Sequence, residues 1–243
     1  MRRVLAELLD LVVPPVCAGC GAETVTLCGD CLGALAVPVR MTSPRYGVLP
    51  VVGAGEYSGV LRSCLLAYKE HDRRDLVGVL GLLLARAVLA VLEHPPGAGR
   101  GATGPAGAAV LVPVPATRRA VRRRGADHVA VLGAAAAAVL RAEGLDVRCR
   151  SLLEVGAHRD QVGFGSRARR RNVRGTHRVA GPGRRAREVI GRTPVIVLDD
   201  ICTTGATTAE SVRALAASRI PAHGVAVVGI APGGPRNGPG DGI

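Results

Sequence analysis

The stretch Val195-Ile-Val-Leu-Asp-Asp-Ile-Cys-Thr-Thr-Gly-Ala-Thr-Thr208 holds the residue types with the clearest chemistry in the chain. Two carboxylates, Asp199 and Asp200, follow a run of branched apolar residues, and a loop of small hydroxyl residues around one glycine comes next. Val195 to Leu198 read as a buried strand of a parallel sheet. A helix pattern with Val212 and Leu215 opens directly after the loop, and Thr207 with Glu210 has capping-box spacing. Backbone N–H groups in such a turn, together with the helix dipole, favour a phosphate. Gly205 lets the backbone come close to it, while Thr203, Thr204 and Thr207 add hydroxyls. The acids suit ribose hydroxyls or a hard metal ion. A sugar phosphate satisfies both halves. The plainer alternative is a strand–helix turn whose acids cap or solvate the sheet edge. A P-loop nucleotidase would also place an acid after an apolar strand, but it needs a Gly-Lys-Ser/Thr loop. The single lysine here, Lys69, stands between Tyr68 and Glu70, which excludes that loop.

A second constellation is Cys17-Ala-Gly-Cys20 and Cys28-Gly-Asp-Cys31, with seven residues between the pairs. Two C-x2-C turns supply four thiolates for a tetrahedral zinc ion. Four sulfurs close the coordination shell, so the expected role is structural. The spacer is too short for a groove-reading helix, and buried free cysteines are the alternative. Cys64, Cys149 and Cys202 are isolated and read as small apolar fillers. Cys202, within the loop stretch, is also a candidate for oxidation.

Arginine supplies the third kind of chemistry. Of 32 basic residues against 19 acidic, 31 are Arg, and the net charge is +13. Arg forks grip phosphate bidentately, so a polyanionic substrate or partner is expected. Thr117-Arg-Arg-Ala-Val-Arg-Arg-Arg-Gly125 packs five Arg into seven positions, and residues 155–192 carry eleven Arg against Asp160 and Glu188. Little apolar periodicity marks that second segment, so it is expected to be mobile until an anion orders it. The other reading of these clusters is a solvated basic face. One Phe, three Tyr and no Trp argue against a stacking platform for single-stranded nucleic acid. Backbone-only contact with nucleic acid is compatible with the composition. His71, His94, His158, His177 and His223 lack partners at ligand spacing, and His128, beside Arg124-Gly125, is the one histidine in a motif.

These groups need a scaffold, and 243 residues allow one good core plus a small module. Hydrophobic content of 48% with so few aromatics means a core of Ala, Val and Leu. Residues 4–12 place Leu5, Leu8, Leu9 and Val12 on one face of a short helix ended by Pro14-Pro15. Leu49 to Tyr57 predicts a strand or hairpin, Ser58 to His71 a helix, and Leu76 to Leu92 a more apolar helix packed on the sheet. His94 to Ala109 is a Gly/Pro/Ala-rich flexible insert. Ala109 to Pro115 is a second buried strand, Asp127 to Arg141 a helix, Asp146 to Leu152 a strand and Gly224 to Ile230 a last apolar strand. Strands alternating with helices predict an α/β fold with a parallel, right-handed sheet. The expected division is a helix and four-cysteine zinc module over 1–48, an α/β domain over 49–231 with a flexible insert at 94–109, and a disordered tail over 232–243. The N-terminal Met1-Arg-Arg and apolar run is interrupted by Glu7 and Asp10 and is not read as a signal peptide. No uncharged run free of Pro and Gly reaches membrane-spanning length. Thiolate usage then makes the cytoplasm the expected compartment.

At residues 195–208 the chain resembles the type I phosphoribosyltransferases, whose signature is four apolar residues, two acids and a Thr-rich loop. The order of all motifs resembles the ComF family of competence-associated phosphoribosyltransferase-like proteins over about residues 1–231. That order is a four-cysteine module, Tyr68-Lys69 at a helix end, and Val112-Pro-Val-Pro115 with an Arg run and Arg124-Gly125. Arg170-Arg-Asn-Val-Arg-Gly175 and the Thr-rich loop complete it. The resemblance implies phosphoribosyl diphosphate and Mg2+ as ligands. It assigns the 5′-phosphate to Thr203, Thr204, Gly205, Ala206 and Thr207, and the ribose hydroxyls to Asp199 and Asp200. Pyrophosphate falls to Ala116, Thr117, Arg118 and Arg119, with Lys69 as the family's Tyr-Lys lysine. A covering loop maps onto about 155–173, with Gln161, Arg170, Arg171, Asn172, Arg174 and Gly175 as matching residues. The expected reaction is displacement at the anomeric carbon, with Arg118, Arg119 and Arg171 stabilising departing pyrophosphate. The chain departs from the family where Arg124-Gly-Ala-Asp-His128 stands for Arg-Gly-Phe-Asn-Gln and where no Asp precedes the Val-Pro-Val-Pro strand. The second reading that the resemblance implies is a DNA-uptake factor that binds single-stranded DNA and competence proteins, with the pocket regulatory or vestigial.

Overall fold

The structure is a computed structural model that describes residues 16–23, 25–47, 49–93, 107–156 and 175–232. In chain order these form α1 (Gly29–Leu35), β1 (Arg40–Thr42), β2 (Val51–Glu56), α2 (Gly59–Glu70) and, after a 3-10 turn, α3 (Val77–Glu93). Then come β3 (Ala108–Pro113), α4 (Arg118–Arg124), α5 (His128–Ala142), β4 (Asp146–Cys149) and β5 (Leu153–Val155). β6 (His177–Val179), α6 (Gly183–Ile190), β7 (Val195–Cys202), α7 (Ala206–Ala217) and β8 (Ala222–Ile230) complete the described chain.

Six strands make one sheet in the order β1-β2-β8-β7-β3-β4. All neighbours are parallel except β1, which lies antiparallel to β2 at the edge. The fold is α/β, as the alternation of strand and helix patterns predicts. Central strands covered on both faces have no solvent side, so both alternating sets of side chains must be apolar. All six residues of β3 are buried, and Val195 to Leu198 in β7 are 0–1% exposed. Two carboxylates appear in β7 only where the strand runs out of the core. On one face α3 lies against β2 and β8, and α5 against β3, β4 and β7, with the two helices packed together. On the other face α7 packs on β7 and β8 and carries the two-stranded hairpin β5–β6. Aliphatic side chains fill the core, and Tyr68 is the one fully buried large aromatic among the described residues, with its hydroxyl donating to the His128 carbonyl at 3.0 Å.

Connectivity decides where a ligand can sit. From β3 the chain passes through α4 and α5 to β4 at one edge, and from β7 it passes through α7 to β8 in the opposite direction. Neighbouring strands whose connections diverge leave a crevice beyond their carboxyl ends, the place where open α/β sheets bind ligands. β3 and β7 are such a pair, bonded in register from Val110↔Val195 to Pro113↔Leu198. The Val-Pro-Val-Pro strand and the Asp-Asp strand therefore end side by side.

Several local expectations are corrected. The N-cap of α7 is Gly205 in the left-handed region (φ 77°), and Glu210 is committed elsewhere, so no capping box forms at Thr207. The strand expected over 146–152 ends at Cys149: β4 joins the sheet, and β5, beyond the expected range, turns away to pair with β6. Within the Arg-rich 155–192 segment β6 and α6 are regular elements, because Ala186 and Ile190 bury one stripe of α6 despite its arginines. Residues 40–47 do not belong to the cysteine module alone, since β1 pairs with β2. The expected helix over 4–12, the insert up to 106, residues 157–174 and the tail from 233 lie outside the described residues. The segment Arg74–Glu93 is long and apolar enough to cross a membrane by length and composition. Leu80, Leu84 and Val88 are fully buried, so one face of that segment forms part of the core.

Candidate functional site

β7 carries its two acids past the buried run with side chains on alternating faces. Both are only 9% exposed. Asp200 finds a cation: Lys69 Nζ, from the last turn of α2, lies 2.8 Å from its Oδ2. The Tyr-Lys motif thus has a structural meaning, with Tyr68 anchored in the core and Lys69 reaching across to the strand end. Asp199 has no ion-pair partner among the described residues. Its Oδ1 accepts the backbone N–H of Asp200 at 2.8 Å, while burial and then the neighbouring Asp200 charge hold its carboxyl well above the ordinary carboxylate range. Asp199 is thus a buried acid at a strand end whose charged form its surroundings disfavour, and a bound cation or hydroxyl donors would offset that.

Asp199 shares a hollow of about 50 Å3 with Thr203, Thr204, Gly205, Ala206 and Thr207. Roughly 10–15 Å3 suffices to admit one water-sized group, so the hollow is open to a small polar group. Among the described residues no backbone carbonyl accepts from the N–H groups of Thr203, Thr204, Ala206, Thr207 or Thr208. The loop therefore leads into the amino end of the twelve-residue helix α7 with amide donors to spare. Thr208, which carried no expectation, closes the turn by donating its hydroxyl to the Gly205 carbonyl at 3.0 Å.

Gly205 is required twice over. Its φ of 77° disfavours any side chain, and a Cβ would stand 2.5 Å from both Pro44 Cβ and the Tyr46 carbonyl oxygen. Pro44 to Tyr46 lie across the loop, and the Tyr46 N–H donates to the Thr204 carbonyl at 3.0 Å. Sequence reasoning missed this strap. No motif marks Ser43 to Tyr46, and only the long-range pairing of β1 with β2 brings the run to the loop.

On the β3 side, Thr117 caps α4 by accepting the Ala120 N–H at 3.2 Å, and Arg119 is exposed beside it. The backbone of Arg118 opens α4, but its side chain lies outside the described residues, as does all of Arg171. The basic run is not a uniformly solvated face: Arg124 lies 3.2 Å and Arg123 4.0 Å from Glu70, the residue after Lys69. α4 is thereby drawn over the end of α2, next to the Lys69–Asp200 pair. His128 is 8% exposed, its ring centroid 4.7 Å from that of Tyr68, and its buried Nδ1 has no hydrogen-bond partner among the described residues. Burial, with Arg124 second, pushes its pKa down.

Behind the loop, Glu210 of α7 is 4% exposed and accepts the His177 N–H at 3.2 Å while pairing with Arg213 at 2.7 Å. Burial opposes its charge, but the Arg213 guanidinium and the His177 N–H hold its carboxyl below the ordinary range. Arg213 also donates to the His177 carbonyl, and His177 Nδ1 lies 3.0 Å from Ser211 Oγ. This lock fixes β6 on α7, so the chain leaving residues 157–174 is anchored beside the Thr-rich loop and its helix.

The four cysteines form a separate centre. The sulfurs of Cys17, Cys20, Cys28 and Cys31 all lie within 4.8 Å of one another, and Cys20 Sγ is 3.7 Å from Cys28 Sγ. A tetrahedron with metal–sulfur bonds of about 2.3 Å has edges of about 3.8 Å, close to the Cys20–Cys28 separation, so the cluster is spaced to hold a metal ion. Gly19 makes the turn tight enough, since a Cβ there would be 2.5 Å from Cys31 Sγ. The Cys28 N–H, donating to Cys17 Sγ at 3.3 Å, leads the interactions that lower the Cys17 pKa to about 6, which favours the thiolate a metal needs. Arg73 ties the module down through the Val16 and Thr26 carbonyls, and Arg86 through that of Val37. Cys64 and Cys202 are buried fillers as expected, and Cys202 ends β7 rather than lying in the loop.

No family model matches this chain, and comparison with curated proteins finds no match.

Proposed function

We propose that the chain is a phosphoribosyltransferase-like protein that binds phosphoribosyl diphosphate with Mg2+ and transfers the phosphoribosyl group to an acceptor. The observation that carries this reading is the shared hollow: the buried carboxyl of Asp199 at the end of β7 and free amides opening α7 line one small space at the switch point of the sheet. The 5′-phosphate sits in the loop from Thr203 to Thr207, and the ribose hydroxyls donate to Asp199 and Asp200. Thr117, Arg118 and Arg119, at the end of the adjacent strand, face the pyrophosphate, with Arg171 supplied by the segment after β5. Mg2+ bound with the diphosphate would supply neutralisation of part of its charge. As the anomeric C–O bond breaks, the ribosyl carbon takes on oxocarbenium character and the guanidinium groups stabilise charge gathering on the leaving group. Lys69 holds Asp200 in place for this. The motif order supports kinship with ComF-type proteins.

In the same reading the cysteine cluster holds Zn2+ with all four positions taken by sulfur, a structural site that suits the reducing cytoplasm. The test of turnover is pyrophosphate release from phosphoribosyl diphosphate in the presence of a panel of nucleophilic acceptors. Release with one acceptor, abolished by Asp199→Asn with Asp200→Asn, is expected. Absence of release with every acceptor leaves binding without transfer. The net charge of +13 favours one further reading, single-stranded DNA binding through phosphate contacts and with competence proteins as partners.

A further inference from the structure

At the other end of the sheet, the turns that lead into β7 and β8 enclose a recess of about 250 Å3. It adjoins Val195, the first residue of β7, whereas the phosphate loop begins after Cys202, the last. At about 3.3 Å per residue the two places are roughly 20 Å apart, so the recess is separate from the site described above. Its floor is apolar: Ile190, Val195 and Ile220 are 5%, 1% and 2% exposed. Its rim is cationic, formed by Arg187, Arg192 and Arg219, and no carboxylate lines it.

Each basic group is placed differently. Arg187 donates to the Ser218 carbonyl at 2.8 Å and so bridges the two turns. Arg192 and Arg219 have no ion pair or side-chain hydrogen bond among the described residues. Arg219 is held at φ 59°, in the left-handed region where glycine or asparagine is preferred. A cation therefore stands where the backbone alone would favour a smaller residue, which is a pattern met at binding sites. His223, also in the lining, accepts the Val195 N–H on Nδ1 at 3.0 Å. In the neutral ring that leaves Nε2–H as its donor. Burial lowers the pKa of the ring, so neutral is its form at pH 7.

We propose that this recess binds a small amphipathic anion, a phosphate or carboxylate on a compact, largely apolar body. The body lies on Ile190, Val195 and Ile220, and the charge is met by Arg192 and Arg219, whose forks are free to take an oxyanion. An acceptor atom on the body pairs with His223 Nε2–H. The volume is just under the roughly 300–1,000 Å3 of sites for drug-sized ligands, which limits the body to about one ring. A concave floor between two turns suits a discrete small molecule better than a polymer backbone.

Phenyl phosphate is the probe, titrated calorimetrically into the full chain. Saturable binding to the wild type is expected, weakened at least about tenfold by Arg192→Ala with Arg219→Gly and unchanged by Asp199→Asn with Asp200→Asn. Glycine fits φ 59°, so the arginine variant is expected to melt no lower than the wild type and a loss of binding cannot be ascribed to unfolding. Amide exchange in residues 190–195 and 219–223 is expected to slow on binding, and inorganic phosphate, lacking the apolar body, to bind at least about tenfold more weakly. Equal binding by wild type and the arginine variant would overturn the proposal, and so would loss of binding in the aspartate variant. A third contrary result is failure of phenyl phosphate to bind while a 5′-phosphorylated oligonucleotide binds and loses affinity with the arginines, which would assign the recess to nucleic acid.

Discussion

Asp199 poses a conflict between stability and use that a single substitution exposes. In the folded state its pKa is raised by burial and by Asp200, so the folded chain binds a proton more tightly than the unfolded one. The sign follows from linkage: stability falls as pH rises from about 3.8 through the folded value. Asp199→Asn keeps the acceptor for the Asp200 N–H and removes the buried charge. The variant is expected to melt higher than the wild type at pH 8, with the advantage shrinking towards pH 4, in thermal denaturation followed by circular dichroism. An advantage that does not vary with pH would mean that the carboxyl is not buried as described. Gly205→Ala is expected to do the reverse. A side chain at φ 77° costs about 1–2 kcal/mol before the clash with Pro44 and the Tyr46 carbonyl is counted. Urea denaturation is expected to show a loss of about 2 kcal/mol or more, with weakened phosphate binding.

At the scale of elements, two devices hold the site in place. The Glu210–Arg213–His177 lock pins the β5–β6 hairpin to α7. Glu210→Gln removes the charge from a group that is 4% exposed, and the expected cost is roughly 1–3 kcal/mol by urea denaturation. Amide exchange in residues 177–179 is expected to quicken more than in β7; a uniform change would deny the hairpin a local anchor. The cysteine module is the second device, fastened through Arg73 and Arg86. Protein purified without a His tag is expected to contain one zinc per chain by elemental analysis, and Cys28→Ser with Cys31→Ser to lose both metal and thermal stability. Retention of both would refute the zinc assignment. The difference in legibility between these devices has a physical cause. Four cysteines at C-x2-C spacing carry their geometry in the local sequence. The lock joins residues 33 apart, and the Pro44–Tyr46 strap joins the loop across some 160 positions, so neither leaves a periodic trace. The same reason explains the misplaced capping box: Thr207 and Glu210 have the right spacing, but buried Glu210 is taken by a strand that sequence pattern did not reveal. Runs of branched residues such as Ala108–Pro113 and Val195–Cys202 were legible because burial on both faces demands them.

For the whole molecule, the parallel order β2-β8-β7-β3-β4 and the divergence of connections at β3 and β7 place the acids, the loop and the Val-Pro-Val-Pro turn at one edge. That convergence follows from topology; the sequence motifs only named its parts. Lys69 shows the gain, since its motif was quoted without a partner and the fold brings it 2.8 Å from Asp200. Charge is the other global property. Burial lowers the pKa values of His128, His177 and His223. The unfolded chain therefore takes up more protons, and stability is lost as pH falls below about 6.5. Asp199 opposes this trend, so the drop in melting temperature from pH 7 to pH 5 is expected to be larger in Asp199→Asn than in the wild type. If single-stranded DNA binds, its affinity is expected to fall steeply between 50 and 200 mM salt and to survive the paired aspartate substitution.

The most direct test is calorimetric titration of phosphoribosyl diphosphate with Mg2+ into the wild type and into Asp199→Asn with Asp200→Asn. One Mg2+-dependent site per chain is expected, weakened about a hundredfold or more by the substitutions, as fits the loss of charge-assisted bonds to the ribose. A wild type that takes up no sugar diphosphate, or a variant that binds it equally well, would contradict the account.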